Sequence, residues 1–223
     1  MKKMKMILVF ALMASTLSVL ADDSSTTPLV SGGLKLQANA SNFLMKEVPS
    51  KPSIHSTMNA GGEFGGFVDF NIKPHFLIQL NVMCVAAHCD LREADQKSSF
   101  WSMGLDVPLY FLGRYGSESR GYISFGGGPY GNFNVWGQLN RNATITNPYL
   151  ANFEDSNGEQ KKALSDFHSG LGAFIGYELP CGLQFNASYQ IAVSDMFAFE
   201  HNKSSYLLPQ KVSLGLAYRF HRK

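Results

Sequence analysis

The stretch GLQFNASYQIAV, Gly182 to Val193, decides the fold. Leu183, Phe185, Ala187, Tyr189, Ile191 and Val193 alternate without a slip against Gly182, Gln184, Asn186, Ser188, Gln190 and Ala192. Successive side chains of an extended chain leave opposite faces, so a period of two marks a strand with one apolar and one polar face. Half-buried strands of soluble domains are usually short, whereas a tilted strand crossing a bilayer needs about 9–11 residues. The length of this stretch fits a membrane crossing, with the apolar face toward lipid and the polar face toward a lumen.

The same unit recurs through the chain. Expected strands cover 29–38, 58–72, 76–86, 99–112, 122–136, 166–179, 182–193 and 211–220. Their apolar sets include Leu34 and Leu36, Phe64 and Phe70, Ile78 and Leu80, Met103 and Leu105, Phe125 and Phe133, Leu171 and Ile175, and Leu214 and Leu216. Short connections are expected at 73–75, 113–121 and 180–182. Longer ones are expected at 39–57, 88–98, 137–165 and 195–209. Short turns alternating with long loops are the pattern of an up-and-down outer-membrane barrel, and they put both chain ends on the short-turn side. The fold class is therefore all-β, an eight-stranded antiparallel up-and-down transmembrane β-barrel, with residues 29–220 as its domain. Eight strands leave an interior that side chains can fill.

The polar faces collect Lys35, Lys211 and Arg219 with Glu63, Asp69, Asp106 and Glu178. Buried charges must pair or cost several kcal/mol each, so these seven are expected to form a lumen polar network that plugs the barrel. Pro108 and Pro129 fall inside strands of a sheet with no free edge, where each removes a ladder donor. A bulge or a strand end is expected near each. Trp101, Tyr110, Phe111, Tyr122, Tyr177 and Tyr189 are candidates for aromatic girdles at the membrane surfaces.

The chain begins MKKMKMILVFALMASTLSVLA. A basic head, an apolar run too short to span a bilayer and a small-residue site before Asp22 are the layout of a secretory signal peptide over 1–21. Residues 22–28 follow as a polar periplasmic lead-in. Removing 1–21 takes three of 19 basic residues and none of 17 acids, leaving 16 against 17 and a net charge of −1. The basic excess of the full chain thus sits in the signal, and no nucleic-acid surface is implied.

Residues YISFGGGPYGNF at 122–133, DFHSGLGAFIGYEL at 166–179, LPQKVSLGLAYRF at 208–220 and GGEFGGFVDFNIKPHFLIQLNV at 61–82 resemble the small outer-membrane β-barrel family of Bacteroidota, the PorT-like "porin family" group. The resemblance implies an eight-stranded barrel in the bacterial outer membrane. It brings no agreed substrate, cofactor, metal or catalytic residue. His221, Arg222 and Lys223 follow Phe220, where many such barrels end on an aromatic residue read by the insertion machinery.

Candidate chemistry is sparse. His168 and Ser169 suggest a lipid hydrolase, but neighbours on a strand point apart; Asp195 and His201 sit in an expected loop. Cys84, His88 and Cys89 fall short of the four ligands of a structural zinc site. Whether Cys84 and Cys89 pair is left open: five extended residues separate the Cα atoms by about 16 Å, and a disulfide needs under about 7 Å.

The expected function is a structural, surface-interaction or assembly role with a filled lumen and no enzymatic activity. The expected partners are outer-membrane lipid and lipopolysaccharide, the barrel-insertion machinery, and an extracellular or envelope protein at loop 137–165. Two alternatives are a lipid-modifying barrel enzyme and a soluble, lipocalin-like binder of an apolar ligand. The second inverts the faces, and the scarcity of charge on the polar faces counts against it.

Overall fold

A computed structural model describes residues 29–46, 54–93, 96–141, 144–149, 152–154, 160–162, 164–196 and 206–220. The signal segment 1–21 and the lead-in 22–28 lie outside the described residues. The strands are β1 (Val30–Lys46), β2 (Ile54–Lys73), β3 (Phe76–Glu93), β4 (Gln96–Ser117), β5 (Gly121–Arg141), the short β6 (Thr144–Thr146), β7 (Asn152–Glu154) and β8 (Gln160–Lys162), then β9 (Phe167–Glu178), β10 (Leu183–Ala192) and β11 (Tyr206–Arg219). The order β4-β3-β2-β1-β11-β10-β9-β5 closes on itself through β4–β5, so eight antiparallel strands form a ring. Strand β6 extends β5, while β7 and β8 pair apart from the ring.

The stagger of the ring follows from its registers. From Phe133, the partners run through Leu105, Cys84, Phe64, Leu36, Leu216, Phe185 and Tyr177 to Ile123. One circuit thus returns to β5 ten residues lower, at Ile123 rather than Phe133. Ten residues at about 3.3 Å against eight strand spacings of about 4.8 Å tilt the strands by about 40°. At that tilt the ten residues of β10 rise about 25 Å, the height of an outer-membrane apolar band. The 22 residues of β4 rise about 55 Å, so the tall strands overshoot the membrane on one side.

The alternation resolves as expected for a membrane barrel. Leu36, Leu214, Leu171 and Phe185 face out, and Leu214 is 62% exposed where its neighbour Ser213 is 1% exposed. Inverted, lipocalin-like faces are excluded by this arrangement. An apolar belt of such extent far exceeds what a soluble monomer shows to water.

The turns at Pro74–His75, Glu118–Arg120 and Leu179–Gly182 share one rim with Leu29 and Phe220. Gly182, at φ 85°, takes the left-handed backbone that its turn requires. At the other rim the expected long loops are shorter than the sequence suggests. Segment 39–57 is largely β1 and β2, and 88–98 is the end of a hairpin in which Glu93 pairs with Gln96. Backbone pairing there continues past the point where the side chains stop alternating in the membrane sense.

The prolines also differ from expectation. The β3–β4 and β4–β5 registers are the same on either side of Pro108, and the β5–β9 ladder runs through Pro129 unchanged. The Asn81 amide Nδ2 donates to the Pro108 carbonyl at 3.4 Å, standing in for a backbone partner. The register shifts of the wall lie elsewhere: between Met103 and Gly104, where β5 carries one extra residue near Val135, and in the β2–β3 ladder between Met58 and Gly62 and between Asn71 and Lys73.

Candidate functional site

The inward faces of all eight ring strands build one polar plug. Arg219 on β11 sits between two acids: Nη1 lies 2.5 Å from Asp69 Oδ2 on β2, and Nε donates to Glu178 Oε2 on β9 at 2.9 Å. Glu178 also meets Arg114 Nη2 of β4 at 3.4 Å. The Arg114 guanidinium lies 3.9 Å over the Tyr122 ring of β5. Asp69 Oδ1 accepts a hydrogen bond from Gln79 Nε2 at 2.8 Å. Lys35 on β1 then donates to Gln79 Oε1 at 3.2 Å and Asn81 Oδ1 at 2.6 Å. Its ammonium stands 4.8 Å from the Phe174 ring centre and 5.4 Å from that of Phe67. Charge-assisted bonds and aromatic faces of this kind are what offset the loss of water around a buried cation.

A second cluster lies nearer the loop rim. Lys211 Nζ donates to Glu63 Oε2 at 3.1 Å and Asp106 Oδ2 at 2.9 Å, and Ser213 Oγ donates to Glu63 Oε1. Both acids are almost fully buried. Between the clusters, Gln37 Nε2 donates to Asn186 Oδ1 at 2.5 Å and Gln190 Nε2 to the Tyr110 hydroxyl at 3.4 Å. An apolar group of Leu77, Tyr110, Leu112 and Phe174 fills the remaining space.

Each of the seven residues singled out from the sequence therefore points into the lumen, and the structure joins them into two clusters. Arg114 was missed, because the sequence reading placed it in the connection 113–121. The parity of Ser102, Asp106 and Tyr110, carried two steps further, would have found it. With Arg114 the charges balance among the described lumen residues: Lys35, Arg114, Lys211 and Arg219 against Glu63, Asp69, Asp106 and Glu178.

The expectation of aromatic girdles is corrected in part. Tyr110 and Tyr122 do not join a girdle: Tyr110 is 2% exposed inside the barrel, and Tyr122 stacks under Arg114. Trp101, Phe111, Tyr177 and Tyr189 do face outward. Cys84 and Cys89 are unpaired, because an odd separation on β3 places Cys84 outside and Cys89 inside; Cys181 is also free. His168 and Ser169 face apart, with His168 edge-on to Tyr130 at 6.1 Å. Asp195 Oδ1 accepts from the Leu207 backbone N–H at 3.0 Å, and His201 lies outside the described residues. Among the described residues, no three His, Cys, Asp or Glu side chains converge as metal ligands.

Above Lys211 the lumen changes character. Cys89, Phe100, Tyr149, Met196 and Leu207 form a buried apolar cluster, with Phe43, Leu91, Leu139 and Leu164 against it. The Phe43 and Phe100 rings lie 5.6 Å apart, and Phe100 lies 6.3 Å from Tyr149. The faces of the wall have inverted here: on β3 the inward residues are Cys89 and Leu91, and the outward ones His88 and Asp90. Water outside and a packed interior are the environment of a soluble domain, so this inversion marks where the barrel leaves the membrane. A cavity of about 60 Å³ lies between the apolar cluster and the polar plug.

Comparison with known proteins bears on this arrangement. No curated protein matches the chain. Among solved structures, the outer membrane protein OprG from Pseudomonas aeruginosa aligns over 86% of this chain and 97% of its own, at 12% identity and a TM-score of 0.46. Ail, the attachment invasion locus protein of Yersinia pestis, aligns over 85% and 98%, at 12% identity and a TM-score of 0.39. Neisserial surface protein A aligns over 84% and 97%, at 11% identity and a TM-score of 0.40. The family model for the outer membrane protein beta-barrel domain matches residues 29–198. That match covers β1 through β10, so the chain belongs to the outer membrane protein β-barrel domain family, whose place is the bacterial outer membrane.

Proposed function

We propose that this barrel acts by what it holds and displays rather than by what it conducts or converts: a structural, surface-interaction or assembly component of the outer membrane, without enzymatic activity. One observation carries this reading. The membrane-level lumen is crossed by a chain of contacts from Arg114 through Glu178, Arg219, Asp69 and Gln79 to Lys35, with Lys211, Glu63 and Asp106 behind it. Moving an ion through would mean parting buried pairs, at a cost of several kcal/mol for each. Residues 1–21 serve as the export signal, and the apolar belt meets lipid and the lipid part of lipopolysaccharide. The insertion machinery takes up the chain and delivers it to the membrane, and an envelope or extracellular protein meets the loop rim around 137–165.

Single-channel recording in planar bilayers tests this directly. The purified barrel should give no steady conductance in molar salt, whereas Arg219→Ala should introduce leaks. Sustained openings of uniform size in the unmodified protein would refute a sealed lumen.

A further inference from the structure

The cavity above the polar plug has the makings of a binding site. Its wall is mostly apolar, with Phe43, Ala87, Phe100, Tyr149 and Met196 contributing, and its floor carries Lys211 and Gln190. Among the described residues, three polar atoms of this lining have no hydrogen-bond partner: Oδ1 of the half-buried Asn42, Asn132 Oδ1 and the Tyr149 hydroxyl. Asn132 and Tyr149 are more than nine-tenths buried, at 8% and 2% exposure. An unmet buried acceptor or hydroxyl is costly and rare in folded proteins. The volume of about 60 Å³ is several times the ~10–15 Å³ that one water requires. Water alone fits such a wall poorly, because most of its surface offers no hydrogen bond.

We propose that this cavity binds a small, largely apolar molecule bearing one hydroxyl or other hydrogen-bond donor. The apolar body lies among Phe43, Phe100 and Met196, and the donor satisfies Asn132 Oδ1 or the Tyr149 hydroxyl. The site is separate from the ion-paired plug, which forms its floor, so binding here does not require passage through the barrel. Placement of the cavity is readable from the wall: β9 and β10 are the shortest ring strands, and Tyr149 and Met196, which follow β6 and β10 in the chain, supply part of the lining.

The protein's methionines provide the test. Met196 lines the cavity, Met103 is 52% exposed on the lipid-facing side, and Met83 is buried deeper in the lumen. The full barrel, carrying carbon-13 methyl methionine, is placed in lipid nanodiscs and titrated with phenol, followed by methyl NMR. The expected result is a saturating shift at Met196, with only a linear, partition-driven drift at Met103. Ala87→Leu, which fills the cavity from a position outside the plug, should reduce the saturating shift at least tenfold in affinity while the heat-modifiable gel band is retained. Asn132→Leu should weaken phenol more than it weakens benzene. Parallel drift of Met196 and Met103, or saturation that Ala87→Leu leaves unchanged, would overturn the proposal.

Discussion

Replacing Lys211 by methionine should test how strongly the plug holds the barrel together. Methionine keeps an unbranched stem of similar length and removes the charge. Glu63 and Asp106 are left 3% and 1% exposed, facing each other without their shared cation. Breaking a buried pair typically costs about 3–5 kcal/mol. The Lys211 side chain is itself 11% exposed and Ser213 still donates to Glu63, so the lower end, about 3 kcal/mol, is expected. That is roughly a hundredfold shift in the folding equilibrium. The assay is equilibrium urea unfolding from lipid vesicles, read by Trp101 and Trp136 on the outer wall. Neutralising the acids as well, in Lys211→Met/Glu63→Gln/Asp106→Asn, should recover most of the loss, because no unpaired buried charge remains. A single-variant loss below about 1 kcal/mol, the range of exposed pairs, would refute the idea that this cluster is sealed from water.

Further outcomes follow from the wall and the rims. Leu214→Arg, in the middle of the apolar belt, should cost about 2–4 kcal/mol in the same unfolding assay, whereas Ile145→Arg on exposed β6 should cost little. Gly172→Val should destabilise by about 1–3 kcal/mol through overpacking, since an added Cβ would sit 3.0 Å from the Tyr110 ring; a neutral result would mean that Tyr110 is free to move. Cys181 is exposed on the turn rim and Cys89 is buried. A membrane-impermeant maleimide should therefore label Cys181 only after the outer membrane is opened, and Cys89 only after unfolding. Labelling of Cys181 on intact cells would reverse the orientation.

How far the sequence carried is clearest on β10 and β11. Every inward residue from Gln184 to Gln190 and from Lys211 to Arg219 was legible from parity alone, because lipid on one side and a narrow lumen on the other leave no latitude in register. Arg114 was lost only because the strand was ended at Leu112, five residues before β4 stops at Ser117. The loop-side cavity was not legible. Phe43, Phe100 and Leu207 are apolar residues on the face that is polar lower down, and the reading assumed one environment along the whole strand. Where the strands pass out of the bilayer, the outside becomes water, and the same alternation then means the opposite.

The assignment of lipid to one face of the wall is tested most directly by fluorescence quenching. Phe185→Trp, in a background where Trp101 and Trp136 are phenylalanine, places a single indole at a position 51% exposed in the belt. In bilayers of phosphatidylcholine brominated along its acyl chains, strong quenching that aqueous acrylamide cannot reproduce is the expected result. Quenching by acrylamide with no response to the bromines would place that face in water and contradict the barrel's assignment to the membrane.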